Sequence, residues 1–283
     1  MKKAILFGLI TVSFDNTPFG DRKEKFVKIL AIGDVTSPAG AAHLEKRLWG
    51  IRQKYNIDFC VVNGENASFI TGIAKDAAEK LLRSGADVIT GGNHTLHNYS
   101  AHSMLEEFPT VIRPVNFGAE APGRGYTVVN TGVYRILVIN AMGTVHIEPQ
   151  LNMPYSYIED VLSREAGNYD FAVLDIHAEA TGEKLAVAHS FDGKINVIFG
   201  THTHVPTADA TILPNGSGYI SDVGMCGESG GILGMEIDSV LFKMRTKLPG
   251  KFKCASGVPV ADAVIFTLDD KSGRVTEIKR IKF

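Results

Sequence analysis

The sequence predicts an α/β fold, with a two-sheet core and helices outside it, in a single domain. Three observations support this prediction. From Lys28 onward, short apolar runs rich in Val and Ile alternate with helical stretches. The apolar runs are nearly continuous, which is typical of sheets buried on both faces. The chain has 283 residues, 45% of them apolar, which suffices for one large core or two small ones.

The predicted strands and helices follow one another in a regular order. The strands span residues 28–32, 59–62, 87–90, 135–141, 171–176 and 195–199. Between them, the stretches 39–54, 75–84 and 155–166 are predicted helices, and the second of these precedes Gly85, a frequent helix stop. This alternation of strand and helix is the sequence pattern of layered α/β folds.

Two segments have the pattern of β-hairpins. In the first, residues 127–132 end at Gly132 and are followed by the apolar run 133–141. In the second, near the C-terminus, the runs 263–268 and 275–281 flank a polar turn at 269–273. Both pairs are expected to be antiparallel.

The N-terminal segment is set apart from this fold. Lys2 and Lys3 precede an apolar run at 4–14, which superficially resembles a signal peptide. No small-residue cleavage pattern follows it, and the run is too short to span a bilayer. We interpret residues 1–26 as an extension that packs poorly, and a misassigned start codon is the plainer explanation of it. The folded domain is expected at 27–283.

The composition restricts the classes of partner. The formal net charge of −2 and the pI near 6.5 give no electrostatic footprint for nucleic acid or an anionic membrane, so neither a stable nucleic-acid complex nor membrane binding is expected. Three cysteines without metal-ligand or redox spacing favour a cytoplasmic protein. Positive charge for a phosphate must then be local, and a bound metal is its obvious source. The composition is compatible with a homo-oligomer as well as with a monomer.

Polar residues cluster at the ends of five predicted strands, where open α/β sheets place their ligand sites. The clusters are 33–34, 63–66, 91–94, 175–177 and 200–204. Their carboxylates, amides and imidazoles suit Fe, Mn or Zn, and no thiolate is included. His202 and His204 are two residues apart, so both point to the same side of an extended backbone. A pair of divalent ions with two carboxylates would leave a net positive pocket suited to phosphate.

Each cluster also has a plainer interpretation. A single histidine at a strand end is more often a hydrogen-bonded structural residue than a ligand, and Gly-Asp after a strand is commonly a turn. The joint occurrence of five clusters favours the metal site. Asp175 is left out of the ligand set as an orienting partner of His177, and His97 stays ambiguous. Other residues are assigned packing, surface or unspecific pocket roles: His43, His102, His146, His189, Glu179 and Thr144.

The motifs themselves have a family resemblance. Gly92-Asn93-His94 and His202-Thr203-His204 resemble segments of the calcineurin-like metallophosphoesterases. Gly64-Glu65-Asn66 and the 222–227 segment Asp-Val-Gly-Met-Cys-Gly are similar to the YmdB-like phosphodiesterase branch. The resemblance runs from about Lys28 to the C-terminus, and it implies a four-layer α/β/β/α metallophosphoesterase sandwich with two mixed sheets. One departure is Leu96-His97, where branch members tend to have Trp-Asp, which puts the substrate preference in doubt.

The resemblance also implies a site. Asp34, Glu65, Asn66 and His204 would hold the first metal, and Glu65, Asn93, His177 and His202 the second, with Glu65 bridging and His94 as proton donor to the leaving oxygen. The metals implied are two iron ions, with manganese as an alternative. The implied activity is hydrolysis of small phosphodiesters such as 2′,3′- or 3′,5′-cyclic nucleotides. A phosphomonoesterase or nucleotidase and a nucleotide-sensing regulatory protein are the rivals, and a zinc amidohydrolase is a more distant one.

Overall fold

Two mixed sheets packed face to face form the centre of the computed structural model, which describes residues 25–68 and 71–283. The strands in chain order are β1 (Phe26–Ile32), β2 (Asp34–Val35), β3 (Phe59–Asn63), β4 (Val88–Thr90), β5 (Tyr126–Asn130), β6 (Arg135–Met142), β7 (Phe171–His177), β8 (Val197–Thr201), β9 (Thr211–Ile212), β10 (Gly218–Ile220), β11 (Met225–Glu228), β12 (Pro259–Asp269) and β13 (Val275–Lys282).

The helices are α1 (Pro38–Tyr55), α2 (Lys75–Arg83), α3 (Ser100–Glu107), α4 (Tyr155–Arg164), α5 (Thr181–Ser190) and α6 (Ile237–Thr246). α1 begins at a cap in which Ser37 Oγ accepts the Gly40 N–H at 3.1 Å and donates to Glu228 Oε2 at 2.5 Å. No helix in the described part of the chain is both long and apolar enough to cross a membrane.

Each sheet contains a run of adjacent parallel strands. The first sheet has the order β2-β11-β12-β1-β3-β4, with β13 beside β12, and the second has the order β5-β6-β7-β8-β10-β9. β1, β3 and β4 are parallel, as are β6, β7, β8 and β10. Because parallel strands end at the same edge, residues that follow them in the sequence become neighbours.

The apolar core has three parts, which define the layers. Residues along β1 alternate between them: Ile29 and Ala31 pack between the two sheets, whereas Leu30 and Ile32 pack under the helices of the first sheet. A third cluster, around Leu174, lies between the second sheet and helices α4 and α5. The order is therefore helix, sheet, sheet, helix, and the predicted four-layer sandwich is confirmed.

The predicted elements agree with these bounds in most places. All six predicted runs form strands, and both predicted hairpins, β5–β6 and β12–β13, are antiparallel. The predicted strand at 195–199 is shifted to β8 because the Ile195 N–H still bonds Phe191 O, at the end of the preceding helix. Helices α3, α5 and α6 and the short strands β2, β9, β10 and β11 were not predicted. The predicted extension at 1–26 lies outside the described residues except for Lys25 and Phe26.

The chain's single tryptophan lies on the outer surface of α1. Trp49 is 54% exposed, and its indole N–H donates to Arg83 O at 3.1 Å, at the end of α2. The Arg52 guanidinium lies 5.4 Å from the indole ring. Trp49 therefore belongs to the contact between α1 and α2.

Candidate metal centre

The polar clusters predicted at the strand ends meet at one edge of the two sheets. Asp34 follows β1, Glu65 follows β3 and Asn93 follows β4, all in the first sheet, whereas His177 ends β7 and His202 follows β8 in the second. Seven of the eight predicted site residues lie within hydrogen-bonding reach of at least one other, and His204 Nε2 lies 3.7 Å from Asp34 Oδ1. The strand topology thus brings together side chains that are up to 170 positions apart in the chain.

Two groups of donor atoms share one carboxylate. Glu65, His177 and His202 offer ligand atoms that all lie within 4.8 Å of one another, and so do Asp34, Glu65 and His204. Glu65 belongs to both groups, as a bridging ligand would. The division of the residues between the groups is the same as in the sequence-based assignment.

Asp34 is a buried carboxylate with one unused oxygen. Its Oδ2 accepts the His202 N–H at 3.1 Å, but its Oδ1 has no hydrogen-bond partner among the described residues. Burial raises the pKa of Asp34 well above its usual range, and the charges of Glu65 and Asp222 add to the rise. An orphaned, buried carboxylate oxygen is costly unless a cation neutralises it, so the site fits a metal at this oxygen.

The tautomer of His177 follows from its neighbours. The Thr201 hydroxyl donates to Asp175 Oδ1 at 2.7 Å, so Thr201 Oγ1 must accept the bond of 2.9 Å from His177 Nδ1. The proton is then on Nδ1, and His177 Nε2 carries a lone pair. This nitrogen faces Asn93 Oδ1 at 3.0 Å and Glu65 Oε2 at 3.3 Å. Lone pairs that converge without a proton between them fit a bound cation.

His202 Nδ1 directs a second lone pair toward His177 Nε2. The Nε2 of His202 lies 3.2 Å from Glu179 Oε2, which is the acceptor for an Nε2 proton, and its Nδ1 lies 3.1 Å from His177 Nε2. Burial lowers the pKa of His177 to about 3, and it lowers the pKa values of His202 and His204 as well. Burial therefore favours the neutral imidazole, the form that binds metals, at all three positions.

His94 lies at the open side of the centre. Its Nδ1 is 2.9 Å from Asn66 Oδ1 and 3.3 Å from Glu65 Oε1, and 29% of its side chain is exposed. Burial lowers the pKa of His94, but the hydrogen bond and charge of Glu65 outweigh this effect and raise it. Burial would also raise the pKa of Glu65, but His177 and His94 hold it well below its usual range. His94 can thus carry a proton on the nitrogen that Asn66 leaves free.

The side-chain amides of Asn66 and Asn93 contact the other residues of the centre. Asn66 donates to Glu65 Oε1 at 2.8 Å, and Asn93 Oδ1 contacts His177 Nε2. The backbone beside Asn93 leaves no room for a side chain, because a Cβ at Gly92 would overlap Glu65 Oε2 and His177 Nε2. A glycine at this turn is therefore a steric requirement of the site.

Asp175, which was predicted to orient His177, does so indirectly, and Thr201, which links the two, escaped the sequence-based prediction. Asp175 accepts bonds from Thr90 at 2.5 Å, Thr201 at 2.7 Å and Asn63 at 3.0 Å, so it orients His177 only through Thr201. Burial raises the pKa of Asp175 to about 7 although these bonds oppose the rise. Lys184, fully buried in α5, was also missed. Neither the spacing nor the residue type of Lys184 or Thr201 indicated a role.

The remaining candidate residues divide into those that contact the metal centre and those that do not. Glu179 contacts His202 and so belongs to the site, whereas Thr144 bonds Glu183 at 2.8 and 3.0 Å instead. The His97 ring lies 5.1 Å from the His94 ring. The other four histidines lie outside both donor groups; His43, for example, contacts Phe283 O at 3.0 Å.

The chain is similar to known proteins over most of its length. The family model described as YmdB-like protein matches residues 30–281. The chain belongs to the YmdB-like family. A YmdB-like relative, the 2′,3′-cyclic-nucleotide 2′-phosphodiesterase of Bacillus subtilis (strain 168), is 37% identical over 255 residues, which cover 90% of this chain and 96% of the relative.

Two solved structures are similar over nearly the whole YmdB-like domain. A phosphatase from Mycoplasma pneumoniae has a TM-score of 0.85 and 30% identity, covering 92% of this chain and 94% of that one. A hypothetical protein from Thermus thermophilus has a TM-score of 0.84 and 34% identity, covering 91% of this chain and 99% of that one. The predicted family and the prediction of a phosphoesterase are confirmed. The roles of the individual site residues stay predictions.

Proposed function

We propose that this YmdB-like protein is a dinuclear metal-dependent phosphodiesterase for small cyclic phosphodiesters, with 2′,3′-cyclic nucleotides as the preferred class. The observation that carries the proposal is the pair of donor groups that share Glu65. The 2′,3′-cyclic-nucleotide 2′-phosphodiesterase of Bacillus subtilis, a relative of this chain, supports the choice of a cyclic diester over other phosphate esters.

The proposed ligands are Asp34, Glu65, Asn66 and His204 for one cation, and Glu65, Asn93, His177 and His202 for the other. Two divalent cations bound there would polarise the phosphoryl group and make a bound water more acidic. The two buried carboxylates offset only part of the charge that these cations bring, so the centre would keep a net attraction for an anionic diester. The neutral histidines add ligands without adding negative charge.

His94 is the proposed general acid. The contact of its Nδ1 with Asn66 Oδ1 fixes the ring and leaves Nε2 for the substrate. The hydrogen bond and charge of Glu65 raise the pKa of His94 despite its burial, which favours the protonated ring that a proton donor needs. His94 would transfer its Nε2 proton to the ester oxygen as that oxygen leaves phosphorus.

The proposed native metal is iron, and manganese is the proposed substitute. Oxygen and imidazole donors without thiolates suit both metals, and the family resemblance favours iron. We further propose a cytoplasmic protein; the thiols of Cys60, Cys226 and Cys254 are free, and the first two are buried.

One assay tests the proposal. Protein stripped of metal with a chelator is reloaded with Fe²⁺ or Mn²⁺ and incubated with 2′,3′-cyclic AMP, 3′,5′-cyclic AMP and an aryl phosphate monoester. We expect hydrolysis of 2′,3′-cyclic AMP that disappears with the chelator and returns with metal. Faster turnover of the monoester would favour a phosphomonoesterase on the same centre. No hydrolysis of any substrate by protein that holds two metals would contradict the proposed activity.

A further inference from the structure

Lys184 is a buried cation beside the metal centre. It lies near the start of α5 with 0% of its surface exposed. Its Nζ donates to Thr201 O at 2.7 Å and to Asp222 Oδ2 at 2.9 Å. A lysine is almost never fully buried unless it is paired, so these two bonds explain how Lys184 can lie there. They also fix the C-terminal end of β8, where the histidine pair begins.

Asp222 connects the Lys184 charge to the loop that follows β8. Its Oδ2 also accepts the Thr203 N–H at 3.0 Å and the Thr203 hydroxyl at 2.9 Å, and its Oδ1 accepts the Gly224 N–H at 2.9 Å. Thr203 is the residue between His202 and His204. One ion pair therefore binds the middle of the histidine loop and the loop before β11 at the same time.

The histidine loop needs such support because its backbone is strained. His202 has a φ of 99° and His204 a φ of 63°. Residues other than glycine rarely adopt positive φ values of this kind. Strained residues persist only where their surroundings hold them. The two histidines belong to different donor groups, so a shift of Thr203 would displace one nitrogen from each.

We propose that Lys184 is a positioning residue, which holds the 201–204 loop through Asp222 so that His202 and His204 reach separate cations. This inference rests on the proposed two-metal function. Lys184 does not contact the reacting atoms; its effect passes through Asp222 and Thr203 to the two histidines.

Manganese binding provides the test, independently of turnover. Metal-free protein is titrated with Mn²⁺ by calorimetry, and electron paramagnetic resonance follows the exchange coupling between the two ions. We expect Lys184→Met to weaken Mn²⁺ binding about 10–100-fold and to replace the coupled signal by that of isolated Mn²⁺, as for losses of other groups that orient ligands. The double variant Lys184→Met with Asp222→Asn should bind Mn²⁺ no more weakly than the poorer single variant, since both changes break one connection.

Arg52→Met is the matched control, because the Arg52–Asp87 ion pair at 2.8 Å is also largely buried but belongs to the contact of α1 with the β3–β4 region. It should lower the thermal midpoint of the metal-free protein and leave Mn²⁺ affinity unchanged. If Lys184→Met does not fold, Thr203→Val decides the question, because it removes only the hydroxyl bond to Asp222 and should still weaken Mn²⁺ binding.

The outcomes separate the two proposals. Wild-type protein that binds no Mn²⁺ would overturn the proposed function and this inference with it. This inference alone would be overturned if the wild-type protein bound two coupled ions and folded Lys184→Met kept the same Mn²⁺ affinity and coupling. If Lys184→Met does not fold, the same result in Thr203→Val would overturn it.

Discussion

Several side-chain atoms in the centre are acceptors that face other acceptors or no hydrogen-bond donor at all. His177 Nε2 faces Asn93 Oδ1 at 3.0 Å and Glu65 Oε2 at 3.3 Å, and Asp34 Oδ1 has no donor among the described residues. In a protein interior, such groups are normally satisfied by protons from neighbours. Here the donors are engaged on the far side of the rings, at Thr201 and Glu179. The arrangement is therefore one that a cation completes.

Replacing His94 separates catalysis from metal binding. His94→Ala should lower kcat for 2′,3′-cyclic AMP about 10²–10⁴-fold, because the leaving oxygen loses its proton donor. Metal content, measured by mass spectrometry, should stay at the wild-type value since His94 is not in either donor group. His102→Ala is the matched control, a histidine on α3 that packs on Tyr99 and should leave kcat unchanged. A His94→Ala enzyme with full activity would rule out the proton-donor role.

Replacing Asp34 should have opposite effects on metal binding and on the stability of the metal-free protein. Asp34→Asn replaces a charged ligand by a neutral amide and should strongly weaken binding at one position. Without metal, however, the same change removes a buried charge with an unsatisfied oxygen, so it should stabilise the protein by about 1–3 kcal/mol at neutral pH.

The stabilisation by Asp34→Asn should depend on pH, and the raised pKa of Asp34 determines the direction of that dependence. A carboxyl group whose pKa is raised by folding destabilises the fold increasingly as pH rises from the unfolded value, near 3.8, through the folded value. The advantage of Asp34→Asn in urea denaturation should therefore be largest at neutral pH and shrink toward acid pH. An advantage that grew on acidification would contradict the assigned direction of the pKa shift.

At the scale of strands and helices, the site could be predicted where it depends on strand ends. Each parallel strand is an apolar run that the sequence displays, and the polar residue directly after it must lie at the shared edge. For this reason Asp34, Glu65, Asn93 and His202 could be named in advance. Lys184, Thr201 and Asp222 could not be assigned roles, because their bonds join α5, β8 and the loop before β11, and no periodicity encodes contacts between distant segments.

The turn after β4 is predicted to be intolerant of side chains. Gly92→Ala should weaken metal binding strongly, because the added Cβ would overlap Glu65 Oε2 and His177 Nε2, while circular dichroism should show the sheets unchanged. Gly50→Ala is the control. Gly50 lies inside α1 with open space around it, so alanine there should stabilise the protein by about 0.5–1 kcal/mol and leave metal binding intact. Equal metal affinity in Gly92→Ala and wild type would contradict the crowded geometry.

At the scale of the whole molecule, the proposed ligands are divided between the two sheets. The first sheet supplies Asp34, Glu65 and Asn93, and the second supplies His177 and the loop with His202 and His204. The sheets also meet through apolar contacts such as those of Phe199 and Phe266, and through the hydrogen bond from Asn63 to Asp175. Bound cations would therefore add a connection between two layers that the rest of the fold joins by packing and by hydrogen bonds such as that from Thr90 to Asp175.

Metal loading should consequently raise global stability. Ligands that bind only the folded state stabilise it by mass action, about 2.7 kcal/mol at a free concentration of 100 times Kd. The thermal midpoint, measured by calorimetry, should rise with Mn²⁺ and return to its initial value with chelator. Asp34→Asn should show a much smaller rise. A wild-type midpoint that did not respond to Mn²⁺ would mean that the two sheets are not connected in this way.

The position of Trp49 gives the chain a built-in fluorescent reporter. It is the single tryptophan, and it lies 12 residues, or about 18 Å along α1, from the helix cap at Ser37 beside the β11 strand. Its emission depends on the contact of its indole with Arg83 O and Arg52. An emission change on titration with metal would report a movement of α1 against α2.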